Sequence, residues 1–156
     1  MKKIISLSLI ILAFVNCKDS NENKKPSNNE ETQSILKKET SSLEIGCYTY
    51  NDGKSIVNFE ITDTENQITG NLTYQLYEKD SNKGTFKGTL SGDKLFGMYT
   101  FNSEGVESSR EVAFIIKDNT LIEGYGELNE SGTAFKEKET LNYVSEMPLK
   151  KTVCTN

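Results

Sequence analysis

Residues 67–101 read QITGNLTYQLYEKDSNKGTFKGTLSGDKLFGMYTF. Apolar and polar residues alternate here in three runs, and the runs are separated by clusters of Asp, Ser, Asn and Gly. Ile68, Leu72, Tyr74 and Leu76 share one face of the first run, Phe86 and Leu90 one face of the second, and Leu95, Tyr99 and Phe101 one face of the third. A period of two marks a half-buried strand. Asp80-Ser81-Asn82-Lys83-Gly84 and Gly92-Asp93 are hairpin-type turn residues. Three sequential antiparallel strands follow from this stretch alone.

The same texture extends in both directions. SIVNFEIT (55–62) aligns Val57, Phe59 and Ile61, and REVAFIIK (110–117) aligns Val112, Phe114 and Ile116. TLIEGYGEL (120–128), TLNYV (140–144) and CYTY (47–50) complete a set of eight predicted strands, with LKKTVC (149–154) a candidate ninth. Ser103-Glu104-Gly105 and Asp118-Asn119 supply further turns. No apolar stripe of helical period runs for a useful length. Short connections make neighbours in sequence neighbours in space, and a meander of this length rids itself of exposed edges by closing. The expected fold is all-β: an antiparallel up-and-down meander closed into a small eight-stranded barrel, spanning 44–156.

Gly70, Gly88, Gly97 and Gly124 each fall on the same face as flanking apolar side chains. Glycine weakens a flat strand. Its repeated use on the inner face points to strong bending where a small barrel is crowded.

Cys47 opens the first strand and Cys154 lies near the end of the chain. In an exported protein two such cysteines read as a disulfide, with free thiols as the alternative. First and last strands are neighbours in a closed barrel, so bridge and meander imply the same geometry.

Export is indicated by the N-terminus. Met1-Lys2-Lys3 is basic, and Ile4 to Val15 is apolar apart from Ser6 and Ser8. That run is too short to cross a ~30 Å hydrocarbon layer as a helix and matches the apolar region of a secretory signal peptide, residues 1–16. Phe14-Val15-Asn16-Cys17 resembles a bacterial lipobox. That resemblance implies acylation of Cys17, and several acyl chains hold a protein on a bilayer far longer than one. A free or bridged thiol at Cys17 after ordinary cleavage is the alternative. From Cys17 through residue 43 the chain is rich in Ser, Asn, Glu and Lys. It cannot bury enough apolar area to offset chain entropy, and reads as a flexible tether.

Composition narrows the function. The chain has 18 Lys+Arg against 23 Asp+Glu, a net charge of −5 and no His. Without clustered basic residues no nucleic-acid partner is expected. Without His, most nucleophile–base pairs and the commonest metal ligand are missing. No catalytic residue, metal site or cofactor is expected, and Glu104, Glu107, Glu111, Glu123 and Glu127 read as solvated strand or turn residues. Arg110, the single arginine, falls by parity on the face of Val112, Phe114 and Ile116. At a barrel mouth its guanidinium would either clamp an anionic ligand or cap the core, paired with Glu104 or Glu107. Tyr74 and Tyr99 point inward by the same parity, as core filling or as polar handles of a cavity. Arg110, Tyr74 and Tyr99 are therefore the candidate ligand-binding residues.

The segments CYTYNDGKSIVNFEI, ITGNLTYQLYEKDSNKGTFKGTLSGDKLFGMYTFNSEGVESSREVAF, EGYGEL and PLKKTVC, together with the Cys17 signal, resemble a group of small Bacteroidetes lipoproteins. The layout is also similar to lipocalin-like and avidin-like barrels and to small lipoprotein inhibitors of lysozyme. These resemblances imply a non-enzymatic outer-membrane lipoprotein of the cell envelope, periplasmic or surface-exposed. Its partners would be the membrane, through the anchor, and a small apolar ligand or an envelope protein. A structural role and inhibition of a cell-wall enzyme are the other readings.

Overall fold

The computed structural model describes residues 42–155. Eight strands follow in chain order: β1 (Gly46–Asn51), β2 (Ile56–Asp63), β3 (Ile68–Gln75), β4 (Asn82–Ser91), β5 (Lys94–Ser103), β6 (Val106–Lys117), β7 (Thr120–Gly124) and β8 (Leu149–Thr152). Each pairs antiparallel with the next, and β8 pairs with β1, so the sheet closes into a barrel. Cys47 stands opposite Thr152 in the closing ladder. Two residues further on, Cys154 is bonded to Cys47, with Cα atoms 5.2 Å apart. The disulfide therefore staples the seam where the first and last strands meet.

Alternation is carried into burial. Val57, Phe59 and Ile61 of β2, Leu72 and Tyr74 of β3, and Phe114 and Ile116 of β6 are buried, and the interior is filled by these and by Tyr48, Phe86, Leu95, Tyr99, Leu121 and Leu149. Phe59 meets Phe86 edge-on at 5.0 Å between centroids and Phe114 at 5.4 Å. Asp118 and Asn119 make the β6–β7 hairpin with φ of 48° and 56°. Positive φ at both turn positions matches the twist of the flanking strands, and short Asp and Asn side chains tolerate it.

The inward glycines leave room for rings. A methyl on Gly70 would meet the Glu60 carbonyl and press on Phe59, and one on Gly88 or Gly97 would meet a carbonyl of the paired strand and enter the ring of Phe86. These three positions are the crowded inner wall that the glycine pattern predicts; Gly124 is not, because Leu121 and Glu123 take the inward face of β7 and Gly124 lies on the other, under Tyr143.

Three further expectations are corrected. The segment TLNYV (140–144) is not a barrel strand; the place falls to Leu149–Thr152. Residues 140–144 belong to the long β7–β8 connection, joined to Tyr125 only through an isolated bridge at Asn142. Their alternation is satisfied differently: Tyr143 and Leu141 pack where methyls on Gly124 and Gly126 would stand. Leu90, near the end of β4, is 37% exposed rather than in the core. Leu43, the last residue assigned to the tether, is buried against the barrel.

The barrel has two unlike ends. The base carries the chain entry, the short turns after β2, β4 and β6, and the disulfide. There Lys151 lies 4.8 Å over the ring of Tyr48 and donates to the Ile45 carbonyl at 2.7 Å. The mouth carries the β3–β4 loop and the long β7–β8 connection.

Candidate functional site

At the mouth lies a cleft of about 380 Å³. Tyr74 at the end of β3, Arg110 and Val112 of β6, and Glu123 of β7 form its floor and near wall. Loop residues, among them Leu76, Leu128, Phe135 and Met147, form the rest. The β7–β8 connection is held over β6 by Glu111. Its main-chain N–H donates to the Thr133 carbonyl at 2.7 Å, and its carboxylate accepts from the Phe135 N–H at 2.9 Å and pairs with Lys138 at 2.7 Å. Phe135 is thereby fixed as part of the wall.

Arg110 is placed by register, directly opposite Tyr99 in the β5–β6 ladder. Its guanidinium lies 5.4 Å from the centroid of Tyr74, 5.6 Å from that of Phe101 and 5.9 Å from that of Tyr99. Three aromatic rings thus surround one cation, at distances where ring quadrupoles attract it. Its Nε is buried and finds no acceptor among the described residues. The ion pairs of the described residues are Lys136–Glu127, Lys138–Glu111 and Lys151–Glu44. The pairing with Glu104 or Glu107 expected from the sequence is absent from them, because both acids lie on the exposed start of β6 and its turn.

Glu123 is the second departure. Read as a solvated strand residue, it is only 8% exposed. Its carboxyl accepts the Tyr74 hydroxyl at 2.9 Å and the Tyr125 hydroxyl at 3.4 Å. Burial pushes its pKa up; the hydrogen bond from Tyr74, the charge of Arg110 and the bond from Tyr125 oppose that shift without cancelling it. Tyr74 is pushed well above the usual phenol range, first by burial and then by the charge of Glu123. Strand parity carried the clue: Leu121 and Glu123 share a face, and Leu121 is fully buried.

Of the candidate ligand-binding residues, Arg110 and Tyr74 line the cleft together. Tyr99 stands behind them, fully buried, its hydroxyl donating to Asn82 Oδ1 at 2.8 Å. Cys17 and residues 1–16, read from the sequence as a lipid attachment site and a signal peptide, lie outside the described residues. The mouth therefore offers a fixed cation with an unused donor, a carboxyl of raised pKa, and a mainly apolar wall. Comparison with protein-family models, with curated proteins and with solved structures found no match.

Proposed function

We propose that this chain is an exported envelope lipoprotein, anchored in the outer membrane through Cys17, whose barrel binds a small, mainly apolar ligand at its mouth without performing chemistry on it. The basic and apolar N-terminus supports export. The Cys47–Cys154 disulfide suits an oxidising compartment outside the cytoplasm. The observation that carries the binding reading is the cleft of about 380 Å³ with Arg110 in its wall, of the size and lining that small-molecule sites have.

Native mass spectrometry of the protein purified from its own host tests this reading. A co-purifying mass that departs on partial unfolding is the expected result, and a bare polypeptide in every charge state would sink it. Radiolabelled palmitate should enter the wild-type chain and not a Cys17→Ala variant.

The filled interior favours a second reading, in which the mouth receives a side chain of an envelope protein. Leu128 is 41% exposed at the rim. A photo-crosslinker at that position would capture a discrete protein partner if the second reading holds.

A further inference from the structure

The chemistry of the cleft specifies its ligand more narrowly, resting on the binding reading above. The Arg110 Nε is buried and without an acceptor. The neighbouring carboxyl that would be the natural partner, Glu123, is already engaged by two tyrosine hydroxyls. A guanidinium presents donors in a planar fork whose best partner is an oxyanion. Apart from this polar corner, much of the wall is Leu76, Val112, Leu128, Phe135 and Met147. At ~30 Å³ for each water-sized volume, the cleft has room for about a dozen non-hydrogen atoms.

We infer that the ligand is a single-chain amphiphile with an oxyanion head, the head seated against Arg110 and the chain against the apolar wall of the mouth.

Glu123 then governs how binding responds to pH. The groups that face it are Tyr74 from β3, Arg110 from β6, and Tyr125 from its own connection. Lys79 and Asp80 of the β3–β4 loop also line the cleft, and Glu111 there is neutralised by Lys138. An anion arriving beside Glu123 repels its charged form and favours the protonated one. Binding therefore takes up a proton, and affinity falls as pH rises through the titration of Glu123.

Calorimetry on the full acylated chain in lipid nanodiscs, with empty nanodiscs as blank, tests the inference with four probes. Octanoate and octane-1-sulfonate carry the oxyanion, octan-1-ol is neutral, and octylamine is a cation. The sulfonate keeps its charge throughout, so its pH dependence reports the protein alone. In acid, octane-1-sulfonate should bind roughly tenfold or more tightly than octan-1-ol, and its affinity should fall as pH rises through the raised titration of Glu123. Arg110→Met should remove the preference for the sulfonate over octan-1-ol. Arg110→Lys, which retains the charge, should keep part of it, with circular dichroism confirming the fold of both. Glu123→Gln should flatten the pH dependence at the level the wild type shows in acid.

Equal binding of octan-1-ol and the sulfonate, or tighter binding of octylamine, would overturn the oxyanion assignment. An unaltered pH profile in Glu123→Gln would overturn the role of Glu123. If no probe binds while native mass spectrometry still finds a ligand, the amphiphile is wrong and the binding reading stands; if both fail, the binding reading fails with it.

Discussion

Gly88 stands directly opposite Gly97 in the β4–β5 ladder, and a methyl placed on either would run into the ring of Phe86. The two glycines form one seat, made from adjacent strands, for one aromatic side chain. Phe86 is fully buried and packs on Phe59, so the seat sits at the centre of the interior rather than at its edge.

Gly88→Ala should therefore cost about 1–3 kcal/mol through overpacking. Pairing it with Phe86→Leu should give a loss smaller than the sum of the two single changes, because the smaller side chain relieves the ring contact, while the contact with the Phe96 carbonyl oxygen remains. Urea denaturation of the two single variants and the double variant measures this. Strict additivity would mean that the Phe96 carbonyl alone, and not the Phe86 ring, excludes the methyl.

The seam is the second weak point. β8 meets β7 through two residue pairs and β1 through three, and the disulfide ties its end. Replacing Cys47 and Cys154 together by Ala should cost about 2–4 kcal/mol. Amide exchange should rise first at 47–49 and 149–152, with β4 to β6 still protected. Uniform loss of protection across all strands would show that the staple supports the whole barrel and not the seam alone.

Stability at the mouth should depend on the charge of Glu123. Burial raises its pKa in the folded chain above the ordinary carboxylate value. The folded state then holds the proton more tightly than the unfolded one, so the stabilising contribution is complete below the unfolded pKa and is lost as pH rises through the folded one. Glu123→Gln can still accept the Tyr74 hydroxyl and carries no charge to bury. Its melting temperature relative to wild type should rise as pH climbs from the ordinary carboxylate value of about 4.3 through the raised pKa of Glu123. A difference that stays constant over that range would show that the carboxyl keeps an ordinary pKa.

Tyr99 supplies an alkaline counterpart. Burial pushes its phenol up to about 12, against the opposing pull of Arg110. Raised above the unfolded value of about 10, it stabilises the fold fully below that pH and loses the contribution as pH climbs through its folded value. Tyr99→Phe should lose the bond to Asn82 at a cost of about 1 kcal/mol. It should also remove one of the late-ionising phenols, of which Tyr74 is another, from an ultraviolet titration. Amplitude lost near pH 10 rather than in the late phase would show that Tyr99 keeps an ordinary phenol pKa.

Alternation in 67–101 was enough to mark β3, β4 and β5, because a half-buried strand must put every second side chain inside. The turn chemistry of Asp118-Asn119 was equally local, and the two domain cysteines marked a seam once the meander was assumed to close. Parity also turned Arg110, Tyr74 and Tyr99 inward. What parity cannot say is which neighbours meet across the barrel. TLNYV and LKKTVC are both plausible as strands, and only the pairing of Leu149–Thr152 with both β7 and β1 separates them. The burial of Glu123 depends on a hydroxyl from β3, 49 residues earlier, and the cleft owes its far wall to a connection folded back onto Glu111. Local alternation is a property of the chain, whereas partners, cavities and the desolvation of a charge arise only when distant segments pack against one another.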